Sequence, residues 1–193
     1  MAKQPPTATK RGPGDGTGRE ALLDATITVV GQKGLRGLTF RAVGEAAGVN
    51  NSLIAHYFGT RDALIEAAFD RAVHDSIDVS HLSEFGTSRE GFVNSIVGML
   101  AGNSDREIFV YEMVLAAHRR PEIAERVYQL YRDYVSTLSD SLKAALGENF
   151  SVARARYAFA ALDGLVIQRF AGVPLETIHE TIGVLWDDIM GDN

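Results

Sequence analysis

Apolar side chains recur at steps of three and four along most of this chain, the period of an amphipathic helix. The clearest run is Pro121–Leu146, where Ile123, Val127, Leu130, Tyr131, Tyr134, Leu138, Leu142 and Ala145 fall on one side. Pro121 suits a first helical turn and Gly147 an end. A helix over 21–32 puts Leu22, Ala25 or Thr26, and Val29 on one face, widened by Leu23, Ile27 and Val30, with Gly34 as its stop. Val152–Phe170 and Leu175–Met190 read the same way, the second through Ile178, Ile182, Leu185 and Ile189. Shorter helices are expected near 61–81, 88–102 and 105–117. No sustained alternation of period two occurs, and no Asn-Gly or Asp-Gly hairpin turn. The expectation is an all-α protein of about nine helices.

One stretch has a different texture. Thr39 is a good N-cap for a short helix ending at Ala47, with Phe40, Val43 and Ala47 on one face. Gly48 permits a left-handed turn. Val49 is an apolar plug at that turn. Asn50 caps a second short helix whose Leu53, Ile54 and Tyr57 face inward. Two short helices across a glycine turn form a helix-turn-helix, whose second helix enters the DNA major groove with its N-terminal residues foremost. Here those residues are Asn50, Asn51 and Ser52. Short amide and hydroxyl side chains can pair with base edges, although Asn50 and Ser52 would equally serve as simple caps.

Charge supports the DNA reading. The net charge of −6 hides an asymmetry: residues 1–61 hold eight basic and four acidic groups, and the remainder 11 basic and 21 acidic. A basic front on an acidic body suits a polyanion-binding head. Three of the five prolines lie in residues 1–13, followed by Gly14, Gly16 and Gly18, so 1–18 reads as a flexible basic tail. Its Lys3, Lys10 and Arg11 read either as an arm that reaches DNA backbone or minor groove or as a bystander tail. The head is then 19–60 and the helical body 61–193. With no cysteine, disulfides and thiolate chemistry are excluded. No uncharged stretch reaches the length of a membrane span, and a cytoplasmic location is expected. No nucleophile elbow, Walker loop, dinucleotide glycine pattern or His-Glu-x-x-His is present, and the five histidines show no metal spacing. No enzyme and no cofactor is expected.

The motif resembles the DNA-binding domain of the tetracycline-repressor family of bacterial transcription regulators. The resemblance rests on Leu38-Thr39-x-Arg41-x-Val43, on Ala47-Gly48-Val49, and on the run from His56-Tyr57-Phe58-Gly59 through Leu64. Weaker echoes are Ala116 through Glu122 and Asp163-Gly164-Leu165. The resemblance implies phosphate contacts from Thr39, Tyr57 and Arg61, and base or groove contacts from Arg41, Asn50, Asn51 and Ser52. His56 stands at a further DNA-facing position, and Phe58 packs beneath the domain. Gly44 departs from the family's usual alanine, and Ala55 from a frequent aromatic residue.

The resemblance also implies a double-stranded operator, a homodimer and a small-molecule ligand. Small residues along 152–170 (Ala153, Ala155, Ala158, Ala160, Ala161, Gly164), with Ile178, Ile182, Leu185 and Trp186, are the expected four-helix interface. Phe92, Ile96, Met99, Phe109 and Met113 are candidate pocket walls, as are Tyr131 and Phe159. His118 and Asp163 are candidate polar groups within it. The helix beginning after Thr60 is the expected lever between pocket and DNA head.

Overall fold

The computed structural model describes residues 15–74 and 76–191. The tail residues Lys3, Lys10 and Arg11, weighed as a DNA-reaching arm, lie outside them. Among the described residues the chain is helical with no strand: α1 (Asp15–Gly37), α2 (Phe40–Ala47), α3 (Asn51–Phe58), α4 (Arg61–His74), the single turn α5 (Ser76–Val79), α6 (Arg89–Ala101), α7 (Asp105–Ala117), α8 (Pro121–Leu146), α9 (Val152–Phe170) and α10 (Leu175–Met190). Helix α1 starts inside the segment that composition set apart as tail. Its regular backbone breaks at Gly34, where φ is 67°, so the expected stop operates as a kink.

The short helices follow their capping chemistry. The Thr39 hydroxyl accepts the Ala42 N–H at 3.1 Å, and the Asn50 amide oxygen accepts the Ser52 N–H at 3.0 Å. Gly48 sits between them at φ 67° and ψ 27°. A side chain there would strain the left-handed turn that redirects α3 across α2.

Two apolar clusters hold the molecule together. The first joins α1 to α4 and includes the fully buried Leu22, Val43, Ile54, Leu64 and Phe69. It continues past the head into α7 and the first half of α8 through Phe109, Met113, Ile123 and Leu130. The second joins α6, the C-terminal half of α8, α9 and α10, with Phe85, Phe92, Leu138, Ala158 and Ile182 at its centre. Helix α7 therefore roofs the head with one face while its other face meets the body. The head is built onto the body rather than tethered to it.

Candidate nucleic-acid interface and body cavity

Six of the eight expected DNA-facing residues, Thr39, Arg41, Asn50, Asn51, Ser52 and His56, are exposed on α2, α3 or their caps, while Tyr57 and Arg61 are half-buried. Ile54 anchors α3 at 0% exposure, and Leu53 and Tyr57 are half-buried beside it. Asn50, Asn51 and Ser52 are all exposed at the leading end of the same helix. That end is polar and exposed, and a helix N-terminus of this kind is a good site for phosphate and base contacts. Thr39 and His56 are also exposed. The His56 and Tyr57 rings meet edge-on at 5.5 Å. Phe58 packs below, with the Arg19 guanidinium 5.3 Å from its ring centroid.

Three side chains have partners that bear on these roles. Arg41 is 82% exposed and pairs with Glu45 one turn on, Nε to Oε1 at 2.8 Å. The Glu45 carboxylate raises the Arg41 pKa, chiefly through that hydrogen bond. Arg61 turns back instead of outward. Its Nε donates to the Leu38 carbonyl at 3.1 Å and its Nη2 to the Leu35 carbonyl. It ties the start of α4 to the α1–α2 corner, which leaves only its remaining N–H groups for a phosphate. The Asn51 side-chain oxygen lies over Gly44, where a Cβ would collide with it. The glycine that departs from the family pattern is thus the floor beneath a leading residue of α3. The Thr60 hydroxyl caps α4 by accepting the Ala63 N–H at 3.1 Å, a role beyond the DNA-facing set. An exposed threonine three residues before that amide was the available signal.

A cavity of about 100 Å³ opens in the body between α5, α6, α7, α8 and α9. Of the candidate pocket residues, Ile96, Met99, Tyr131, Phe159 and Asp163 line it. Four candidates lie elsewhere. Phe92 is fully buried against Phe85, with ring centroids 4.6 Å apart. Phe109 and Met113 point to the opposite side of α7, into the core shared with the head. His118 is exposed just past the end of α7. A three-to-four periodicity cannot tell which of two opposed cores a helical residue joins, and α7 has both. Glu107, Val110 and Tyr111 occupy its cavity face at spacings of four and three.

The cavity's chemistry is aromatic and acidic. The Tyr111 hydroxyl donates to Asp163 Oδ1 at 2.5 Å, and the Tyr131 hydroxyl to Asp163 Oδ2 at 3.3 Å. Burial, then the neighbouring carboxylate, pushes both tyrosines well above the ordinary phenol range. Burial also pushes Tyr134 up to about 12. Glu107 Oε2 is buried without a hydrogen-bond partner, and burial raises that carboxyl's pKa.

The expected dimer face is partly spent inside the chain. Ala155, Ala158, Ile178, Ile182 and Leu185 are buried in the body's own core, and the Trp186 indole N–H donates to the Phe85 carbonyl at 2.8 Å. Outside, α9 leaves Ala153, Tyr157, Ala160 and Ile167 exposed, together with Val152, Arg156, Gln168 and Phe170, and half-buried Gly164 faces open space. Val184 of α10 is 66% exposed.

Comparison with known proteins agrees with this geometry. Residues 22–68 match the model of the "Bacterial regulatory proteins, tetR family", and residues 87–188 that of the "Tetracyclin repressor-like, C-terminal domain". The chain is 28% identical over 181 residues to the HTH-type transcriptional regulator BetI of Brucella abortus, covering 89% of each. A transcriptional regulator of Rhodococcus sp. Rha1 superposes with a TM-score of 0.73 at 24% identity, over 90% of this chain and 96% of that one. The multidrug binding protein EbrR complexed with ethidium superposes with a TM-score of 0.65 at 27% identity, over 87% and 98%.

Proposed function

The chain belongs to the tetracycline-repressor family of DNA-binding bacterial transcriptional regulators, and from that membership we propose that it binds a two-fold-symmetric operator as a homodimer and releases it when a small molecule enters the body cavity. The observation that carries the DNA part is α3 itself: an exposed Asn50-Asn51-Ser52 lead mounted on a fully buried Ile54. Asn51 and Ser52 read base edges, with Arg41 beside them. Thr39, Tyr57 and His56 meet phosphates. Arg61 adds charge but acts chiefly as a brace.

Two copies pair through the outward stripe of α9 and the neighbouring Val184. Small residues at Ala153, Ala160 and Gly164 let two such helices approach closely, and Tyr157 and Ile167 supply apolar area. A dimer of this kind presents two recognition helices about 34–36 Å apart, one turn of DNA, or a multiple of it. The protein works in the cytoplasm, where its operator is, and carries out no turnover of its own.

Release is a population shift. A ligand that prefers the conformer with mis-spaced α3 helices lowers operator affinity by its differential affinity for the two states. A hundredfold release needs ~2.7 kcal/mol of that preference. Two elements connect cavity and head. Helix α4 leads towards α5, whose Ser76 and Val79 line the cavity. Helix α7 has Tyr111 in the cavity and Phe109 in the head's core. Ion pairs fasten the lever to the body, Arg120–Asp62 at 2.6 Å and Arg126–Asp70 at 3.4 Å. EbrR, with ethidium bound on a related fold, supports a ligand-holding body. Selection from random duplexes tests the reading. A pseudo-palindrome is expected, and recovery of only asymmetric or unrelated sequences would overturn it.

A further inference from the structure

We infer that the body cavity takes a small organic cation, its positive centre facing the Asp163 carboxylate and the rings of Tyr131 and Phe159. The inference rests on the reading of this cavity as the effector site and names the class of molecule that fits it.

The acid comes first. Asp163 enters the cavity from α9 and is met there only by neutral donors, the hydroxyls of Tyr111 and Tyr131. Among the described residues it takes part in no ion pair. Two hydroxyls occupy two of a carboxylate's roughly four acceptor positions. A carboxylate drawn out of water toward apolar walls is costly without a counter-charge, and Ile96, Val110 and Leu162 are such walls. An anion would face repulsion here. A neutral apolar molecule would remove the remaining water and leave the charge unmatched.

The rings supply the second half. Tyr131 stands edge-on to Phe159 at 5.5 Å and 86°, and Tyr134 stacks on Phe159 at 5.2 Å and 27°. Aromatic faces attract cations through their quadrupole, most strongly where water is excluded. The Asp163 carboxylate and the neighbouring tyrosine and phenylalanine rings together supply groups that can receive a positive centre.

The basic group on the wall does not reverse this. Arg106 directs Nη1 to the Ala72 carbonyl at 3.4 Å, and its neighbour in sequence is Glu107. Glu107 is shared with an adjoining crevice that also holds Arg169, so the decisive charge is that of Asp163. Size narrows the class further. A cavity of about 100 Å³ favours a compact molecule over an extended one. That suits a compact alkylammonium.

The test is calorimetric titration of the full chain with tetramethylammonium, and with tert-butyl alcohol as a neutral probe of the same atom count. The wild-type protein is expected to bind the cation more tightly by roughly tenfold or more. Asp163→Asn, which keeps an oxygen for Tyr111, should erase that preference while leaving the alcohol's affinity unchanged. Phe159→Leu should lower only the cation's affinity and provides a second route if Asp163→Asn fails to fold. Equal affinity for both probes, no binding of the cation, or a preference that survives both substitutions would overturn the inference. Operator affinity with each probe is measured in parallel. Cation binding without operator release supports the ligand class and removes the effector reading. Release by an uncharged or anionic compound, with no cation bound, keeps the effector reading and overturns the class.

Discussion

Arg41 and Glu45 show how much a single pair can hide. Sequence marked Arg41 as a groove-contacting cation, yet its guanidinium already holds a carboxylate that it must leave to reach DNA. Glu45→Gln should therefore raise operator affinity several-fold and steepen the dependence of log K on log salt by about one unit, read by fluorescence anisotropy across a salt series. An unchanged slope would mean that Arg41 stays clear of the DNA. Gly44 and Asn51 form the second pair. An added Cβ at Gly44 displaces only the far end of the Asn51 side chain, with the Val49 carbonyl next at 3.1 Å. Gly44→Ala should keep the melting temperature or raise it, since alanine gains ~1 kcal/mol of helix propensity. It should shift base preference at one operator position by ~1–3 kcal/mol, which repeated selection would detect. Arg61→Ala exposes the opposite kind of role. It should destabilise the head by ~1–3 kcal/mol through the Leu35 and Leu38 carbonyls it abandons, measured by urea unfolding. The Arg41–Glu45 pair, four residues apart in a helix already read from sequence, was legible as a local i,i+4 contact; the other two roles were not, because each depends on a partner brought near by the fold, across the glycine turn for Gly44 and across the α1–α2 corner for Arg61.

Elements were easier to read than partners. Capping residues and periodicity located α2, α3, α8, α9 and α10, because these signals are local. Faces were harder. Helix α7 buries Phe109 and Met113 toward the head and shows Tyr111 to the cavity, and α9 buries Ala155 and Ala158 inward while leaving Ala153, Ala160 and Gly164 outward. Apolar spacing registers both faces as one signal. The outward face of α9 is tested by Gly164→Glu, for which sedimentation should show monomers with an unchanged helical spectrum. A retained dimer would move the interface elsewhere. The cavity's tyrosines give a pH signature. Burial raises Tyr134 from about 10 to about 12, so the folded state holds its proton more tightly than the unfolded chain. That contribution is complete below pH 10 and is lost as pH rises through about 12. Absorbance titration should show Tyr134 ionising only with, or after, loss of the fold. Replacing it with phenylalanine should flatten that alkaline decline.

At the scale of the whole molecule, the head and body share a core through α7 and α8, so neither moves without the other responding. The asymmetry of charge was visible from composition, and it agrees with a DNA-reading end on an acidic body. The continuity of the core was not visible, because it depends on long-range contacts such as Phe69 against Phe109, whose centroids lie 6.5 Å apart. Ile54→Ala should cost ~2–5 kcal/mol and remove operator binding together with stability, which places the reading helix inside the same cooperative unit. Whether two copies occupy one symmetric site is read most directly by sedimentation equilibrium of the full chain with its selected operator, compared with a scrambled duplex of equal length. Two chains on a single-site operator, or pairs of two, are expected, with a preference over the scrambled duplex of roughly a thousandfold or more. A one-to-one complex, or equal affinity for both duplexes, would contradict the two-copy reading.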